Sequence, residues 1–302
     1  MEPTVLYETV HGSRAYGLAR PDSDWDSKGI FVGPAATYHG FLGGPEQLGD
    51  ADNAQYEIRK FFRLAAESNP SLLEILYTDP QWHRVVTAAG RRLLAARDGF
   101  LSRRAAASFG GYALSQLKRI KTHRRWLLEP PKAAPTRAQF GLPDRAVAPP
   151  DQLGAYEAMR AQGHAPEGDP NYLALLDQER RYRAARQTWS RYQDWLAGRN
   201  PARAALEAQF GYDTKHAQHL IRLLRMGHEI VTTGQVIVTR PDRDELLAIR
   251  GGALDYETLL AMAEGLHAAI EAALPTSPLP EVPDLQGLDA LCCALVEEAL
   301  HP

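Results

Sequence analysis

The sequence predicts an α+β fold: an α/β unit over residues 1–100, then a mostly helical segment over residues 101–302. Three observations predict it. Two β-rich stretches near the N-terminus flank a turn of small residues. Apolar residues then recur at helical spacing, and from about residue 84 onward the pattern is mostly helical.

The chain has 302 residues, 44% hydrophobic and 24% charged, which excludes a disordered or fibrous protein. A net charge of −3 excludes binding through overall positive charge, so any nucleic-acid contact must come from a local basic patch. The only cysteines, Cys292 and Cys293, are adjacent and read as small apolar residues of a terminal helix, not as a disulfide or metal pair. There is no apolar run near about 20 residues and no signal peptide. The expectation is a cytoplasmic protein with no membrane partner.

Residues 4–10 (TVLYETV) are rich in β-formers and read as a strand. Residues 11–17 (HGSRAYG) make a turn and a short helix-like stretch, and residues 21–24 (PDSD) a second turn. A second strand is expected over 25–32 (WDSKGIFV), then a long Gly- and Pro-rich loop over 33–52. Residues 55–58 begin a short strand or a helix. The helix that follows carries Phe61, Phe62, Leu64, Ala65 and Ala66 and stops near Asn69, because the residue before a proline disfavours helix. Another helix spans 71–77, with Ser71 as its N-cap. Farther on, helices are expected over 105–128, 172–196, 214–231, 256–273 and 288–300, and a short strand or turn over 235–239. Pro-rich linkers lie near 129–150 and 275–283.

The chemistry concentrates in Gly12-Ser13 and Asp24-Trp25-Asp26. Residues two apart on a strand share a face, so Asp24 and Asp26 aim their carboxylates at one point. Two adjacent carboxylates repel unless a cation intervenes, and Mg²⁺, an oxygen-seeking ion, relieves that repulsion. Two such ions about 3.5–4 Å apart clamp the attacking and leaving oxygens of an in-line phosphoryl displacement. The turn supplies the other half: Gly12 lets backbone approach a phosphate, N–H groups at a helix start bind anions, the Ser13 hydroxyl donates, and Arg14 adds a cation.

In the helical segment, Lys118, Arg119, Lys121, His123, Arg124 and Arg125 crowd one helix. They form either a solvated face or a phosphate-contacting surface. Tyr112 and Trp126 beside them are either base-stacking or core residues. Lys215, His219 and Arg222 fall at i, i+4 and i+7 on one helical face, with Arg225 one turn beyond. That stripe either closes over nucleotide phosphates or pairs with acids such as Asp213 and Glu229. Glu74 reads as a cap or ion-pair partner, and Tyr182, Trp189, Tyr192 and Trp195 as a packing stripe.

The order strand, Gly-Ser, Asp-x-Asp, strand resembles the nucleotidyltransferase fold of the DNA polymerase beta superfamily. More narrowly, residues 12–32 (GSRAYGLARPDSDWDSKGIFV) resemble the predicted nucleotidyltransferases of bacterial RNA repair operons, as do residues 56–70 (YEIRKFFRLAAESNP), 108–131 (SFGGYALSQLKRIKTHRRWLLEPP) and 211–227 (GYDTKHAQHLIRLLRMG). The resemblance implies a nucleotidyltransferase domain with a mixed sheet, an NTP substrate, Mg²⁺ or Mn²⁺, and a third carboxylate on a strand beside the Asp24–Asp26 strand. Asp52 and Glu57 are both candidates. They lie an odd number of positions apart and so face opposite sides of a regular strand. The implied reaction moves an NMP to a hydroxyl with release of pyrophosphate. An RNA end is the favoured acceptor; a hydroxyl of a partner protein, or an inactive nucleotide-binding module, are the alternatives.

Overall fold

The β-rich run that predicts the first strand does form one. Strand β1 (Thr4–His11) places Leu6, Tyr7, Thr9 and Val10 out of water, and β2 (Asp26–Val32) does the same with Ile30, Phe31 and Val32. The two pair antiparallel, from Thr4 opposite Val32 to His11 opposite Asp26. The computed structural model describes residues 3–146, 148–164 and 167–301.

Next in the chain come α1 (Ala36–His39), β3 (Gln47–Gly49), β4 (Asn53–Glu57), α2 (Ile58–Ala66), α3 (Pro70–Ile75), β5 (His83–Val86), α4 (Ala88–Ala95) and α5 (Arg104–Leu128). The sheet has five strands in the order β3-β4-β2-β1-β5. It is mixed: β2 and β4 run parallel, and the other neighbours are antiparallel. The chain therefore has the predicted α+β class. The stretch expected as a loop over 33–52 contains α1 and β3, and β5 lies where helix was expected. Four residues of β5, with Arg84 facing water, carry too short a pattern to stand out; pairing with β1 defines the strand.

Helix α2 starts as its sequence dictates, with Glu57 as N-cap accepting from the amides of Arg59 and Lys60. Its Phe61 and Phe62 pack edge-on against Phe100. Asn69 caps α3 and Pro70 occupies its first turn; Ser71, expected as the cap, lies inside the helix.

Two units emerge from the packing. One comprises residues up to Lys121 and from Tyr212 onward; the other runs from Thr122 to Gly211. The second unit contains α6 (Pro150–Ala161), α7 (Pro170–Ala197) and α8 (Pro201–Phe210). Leu153, Tyr156 and Leu176 form its core with Ala148. Its Pro-rich stretch is pinned to α7, where Arg137 pairs with Glu179 and lies over the ring of Tyr182. Trp126, Tyr192 and Trp195 pack against one another.

The first unit resumes with α9 (Thr214–Thr233), α10 (Arg243–Arg250), α11 (Tyr256–Ala273) and α12 (Leu285–Leu300). α10 and α11 pack on α9, and α12 packs on α2 and α4. The stretch 275–283 is fastened by Arg103, whose guanidinium donates to the carbonyls of Ser277 and Leu279, each at 3.0 Å. Residues 235–238 carry no strand. Cys292 is buried and Cys293 exposed, neither bridged. Among the described residues no helix is long and apolar enough to cross a membrane.

Candidate active site

Gly12 follows β1 with φ +72°, a left-handed conformation suited to glycine. A Cβ added there would lie 2.3 Å from Oδ2 of Asp26. The Asp26 carboxylate thus rests directly on the Gly12 backbone, so the acid and the turn adjoin. Residues 12–17 form a run of turns, not a helix, closed by bonds from Tyr16 N to Gly12 O (3.1 Å) and from Leu18 N to Ser13 O (2.7 Å).

Asp26 opens β2, half-buried, and Asp24 is exposed two residues before it. The parallel register pairs Ser27 with Asn53, and Ser27 N donates to Asp52 O at 2.9 Å. Asp52 therefore stands beside Asp26 at the mouth of the sheet. An Asx turn holds it there: Asp50 Oδ1 accepts from the amides of Asp52 (3.0 Å) and Asn53 (2.8 Å). Burial raises the pKa of Asp26, and the carboxylates of Asp52 and Asp24 raise it further, while His11 and Lys215 oppose them. The charges of Asp52 and Asp24 both disfavour ionisation of Asp26, and an oxygen-seeking divalent cation such as Mg²⁺ would offset that.

Glu57 is elsewhere. It lies at the far end of β4, about 16 Å along the strand from Asp52 at about 3.3 Å per residue. It is buried, caps α2, and accepts from Arg59 Nε (3.1 Å) and Tyr38 OH (3.0 Å). Of the two candidates for the third carboxylate, the structure brings Asp52 to Asp26 and gives Glu57 to a helix start.

The cations also divide. Lys215 is exposed at the start of α9 and acts on Asp26 electrostatically. Arg222 points inward, where Nη1 donates to Glu74 Oε1 at 2.7 Å and the guanidinium lies 3.8 Å over the Tyr16 ring. Nη2 donates to Nδ1 of His219 at 3.2 Å, so that nitrogen carries no proton. Burial pushes the His219 imidazole down to about 3, and Arg222 adds to the shift. The expected stripe of three cations is thus one exposed lysine, one neutral imidazole and one buried ion pair. Arg225 binds Asp242 and Glu245, each at 2.6 Å. Arg14, expected at a phosphate, donates instead to the carbonyls of Ser23 (2.6 Å) and Asp24 (3.1 Å), which fixes the loop carrying the acids.

Behind the turn lies a network centred on Glu74, the expected ion-pair partner, whose other members His11 and Tyr16 sequence reasoning did not single out. Glu74 Oε2 accepts from Tyr16 OH, and His11 Nε2 lies 3.4 Å from that same oxygen and 3.3 Å from Tyr16 OH. Burial works to raise the Glu74 pKa; the Arg222 guanidinium, with His11 and Tyr16, more than offsets it and keeps the acid ionised. Burial keeps His11 neutral, against the pull of Glu74. A signal was present: Glu74 is the lone acid in an otherwise apolar helix, SLLEIL.

Residues 2–128 match the family model described as the RNA repair pathway DNA polymerase beta family, RlaP, which supports a DNA polymerase beta-like nucleotidyltransferase over that stretch. The chain is also similar to "Uncharacterized protein YcgL" of Bacillus subtilis (strain 168), 34% identical over 94 residues, covering 28% of this chain and 35% of that protein. It is similar as well to the "Uncharacterized 38.9 kDa protein in nrdC-mobD intergenic region" of Enterobacteria phage T4, 30% identical over 91 residues, 26% of each chain. The matches thus span about a third and a quarter of these curated relatives. No solved structure gives a significant match.

Proposed function

We propose that this protein is a metal-dependent nucleotidyltransferase that moves an NMP from an NTP to a hydroxyl, with an RNA end as the favoured acceptor. The observation that carries the reading is the contact of Asp26 with the Gly12 backbone, with Asp52 next to it in the β2–β4 register and the charges of Asp52 and Asp24 acting on its carboxylate. The match of residues 2–128 to an RNA repair family supports the RNA acceptor.

In this reading Asp24, Asp26 and Asp52 would hold Mg²⁺ or Mn²⁺, which when bound neutralises phosphate charge and aligns the reacting oxygens. The protein's own groups do the rest. Gly12 and Ser13 bring backbone and hydroxyl close to the triphosphate. Lys215 adds positive charge beside Asp26. A carboxylate oxygen of Asp52 orients the attacking hydroxyl and takes its proton as the oxygen bonds to the α-phosphorus. The bond from the α-phosphorus to its bridging oxygen breaks, and pyrophosphate leaves. Catalysis is positioning plus charge neutralisation.

The test is incubation with each α-labelled NTP and Mg²⁺, with bulk RNA or with the protein alone. Label on RNA that disappears in Asp26→Ala supports the reading. Label on protein redirects the acceptor to a side-chain hydroxyl. NTP binding without any transfer points to a binding module.

A further inference from the structure

Trp25 lies between the two acids of the Asp24–Asp26 motif, yet 54% of it is exposed. Its ring is held from both chain and neighbour. The Arg14 guanidinium carbon sits 3.9 Å from the ring centre, and Arg14 is locked in turn by its bonds to the Ser23 and Asp24 carbonyls. A second indole, Trp82, meets Trp25 edge-on at 6.4 Å. Trp82 ends a 3-10 turn capped by Asp79, and its carbonyl accepts from Thr9 Oγ1 at 3.2 Å.

An exposed indole gains nothing from the core, and a lone arginine–tryptophan pair on a surface needs no such anchoring. Planar groups of this kind, indole and guanidinium together, are the surfaces on which unpaired nucleobases stack. The location is specific: Trp25 lies between Asp24 and Asp26 in the chain, and its ring packs on Arg14 of the turn that also meets Asp26. A polar residue there would serve a solvated loop better.

We infer that Trp25, with Arg14 and Trp82, is a nucleobase-stacking subsite beside the phosphate-transfer centre. The inference rests on the nucleotidyltransferase reading. Its ligand is a nucleobase, supplied by the incoming nucleotide or by the end of a single-stranded RNA acceptor. Stacking tolerates any base, because every base presents a π-face.

The experiment uses the full chain and calorimetric titration with two probes: each NTP with Mg²⁺ and no acceptor, and a short single-stranded RNA without NTP. Trp25→Ala is expected to weaken binding of at least one probe by roughly 10-fold or more, and Trp25→Phe to keep most of the affinity. The wild-type fluorescence quench on binding is expected to shrink in Trp25→Ala. Loss confined to the NTP assigns the base to the incoming nucleotide; loss confined to RNA assigns it to the acceptor. Matched thermal unfolding of the variants separates stacking from folding. Wild-type affinity of Trp25→Ala for both probes, or no binding of either probe by the wild type, overturns the subsite. Asp26-dependent label transfer alongside an indifferent Trp25 would sink the subsite alone. Trp25-dependent binding without any transfer would sink the enzymatic reading alone.

Discussion

Nη1 of Arg222 donates to Oε1 of Glu74 at 2.7 Å, with the two side chains only 3% and 1% exposed. The pair joins α9 to α3 directly behind the Gly12 turn. Removing one partner leaves an uncompensated charge in a dry site, a loss of about 3–5 kcal/mol. Arg222→Ala is therefore expected to lower the urea midpoint sharply. Glu74→Gln, which still accepts from Tyr16, is expected to cost less than Glu74→Ala. An Arg222→Ala protein as stable as wild type would show that the pair is solvated.

Gly12→Ala tests the contact between turn and acid. The new methyl would meet Asp26 Oδ2 at 2.3 Å, in a backbone conformation that alanine disfavours. Neighbouring β1 and β2 pair along their whole length, so the sheet is expected to persist while Asp26 shifts. Label transfer should fall about 100-fold, the scale of a misplacement near 1 Å, with the circular dichroism spectrum unchanged. Retained transfer would mean that Asp26 can move without consequence.

Asp52→Asn and Glu57→Gln separate the two candidates for the third carboxylate. The first is expected to abolish transfer, by about 100-fold or more, with little change in stability because Asp52 is exposed. The second weakens a helix cap and is expected to cost about 1 kcal/mol of stability while transfer survives. The reverse outcome in the two assays would return Glu57 to the centre.

The pH dependence follows from the buried network. His219 is held down to about 3, below its ordinary 6.5, and His11 is lowered too. Between those values the unfolded chain binds protons that the folded protein does not, so stability falls as pH drops below about 6.5. Glu74, a carboxylate held below its ordinary range, adds a further loss as pH falls below its ordinary value. Tm measured from pH 8 to pH 4 is expected to decline from about pH 6.5 downward, and His219→Gln to flatten the first part of that decline. A flat profile for the wild type would contradict the burial of both imidazoles.

The first two strands were legible because β-rich runs and turn residues mark them. Of the acids and the turn expected to act together, the contact that the structure makes is the one between Gly12 and Asp26. The choice between Asp52 and Glu57 was not. Residue parity says only that they face opposite sides, whereas the pairing of Ser27 with Asn53 decides which one stands beside Asp26. Helical spacing put Lys215, His219 and Arg222 at i, i+4 and i+7, but periodicity does not say what each of them faces. Here the answer depended on Glu74, which is 148 positions from Arg222 in sequence. Strand β5 escaped because a four-residue edge takes its definition from its neighbour.

That long reach between Glu74 and Arg222 bears on how the protein is made. A ribosome that has finished residues 2–128, the segment matched to the family, has already built a helix carrying a buried acid whose guanidinium is still untranslated. A fragment ending there is expected to mature poorly, and the nascent sheet to wait for α9 before its turn is set.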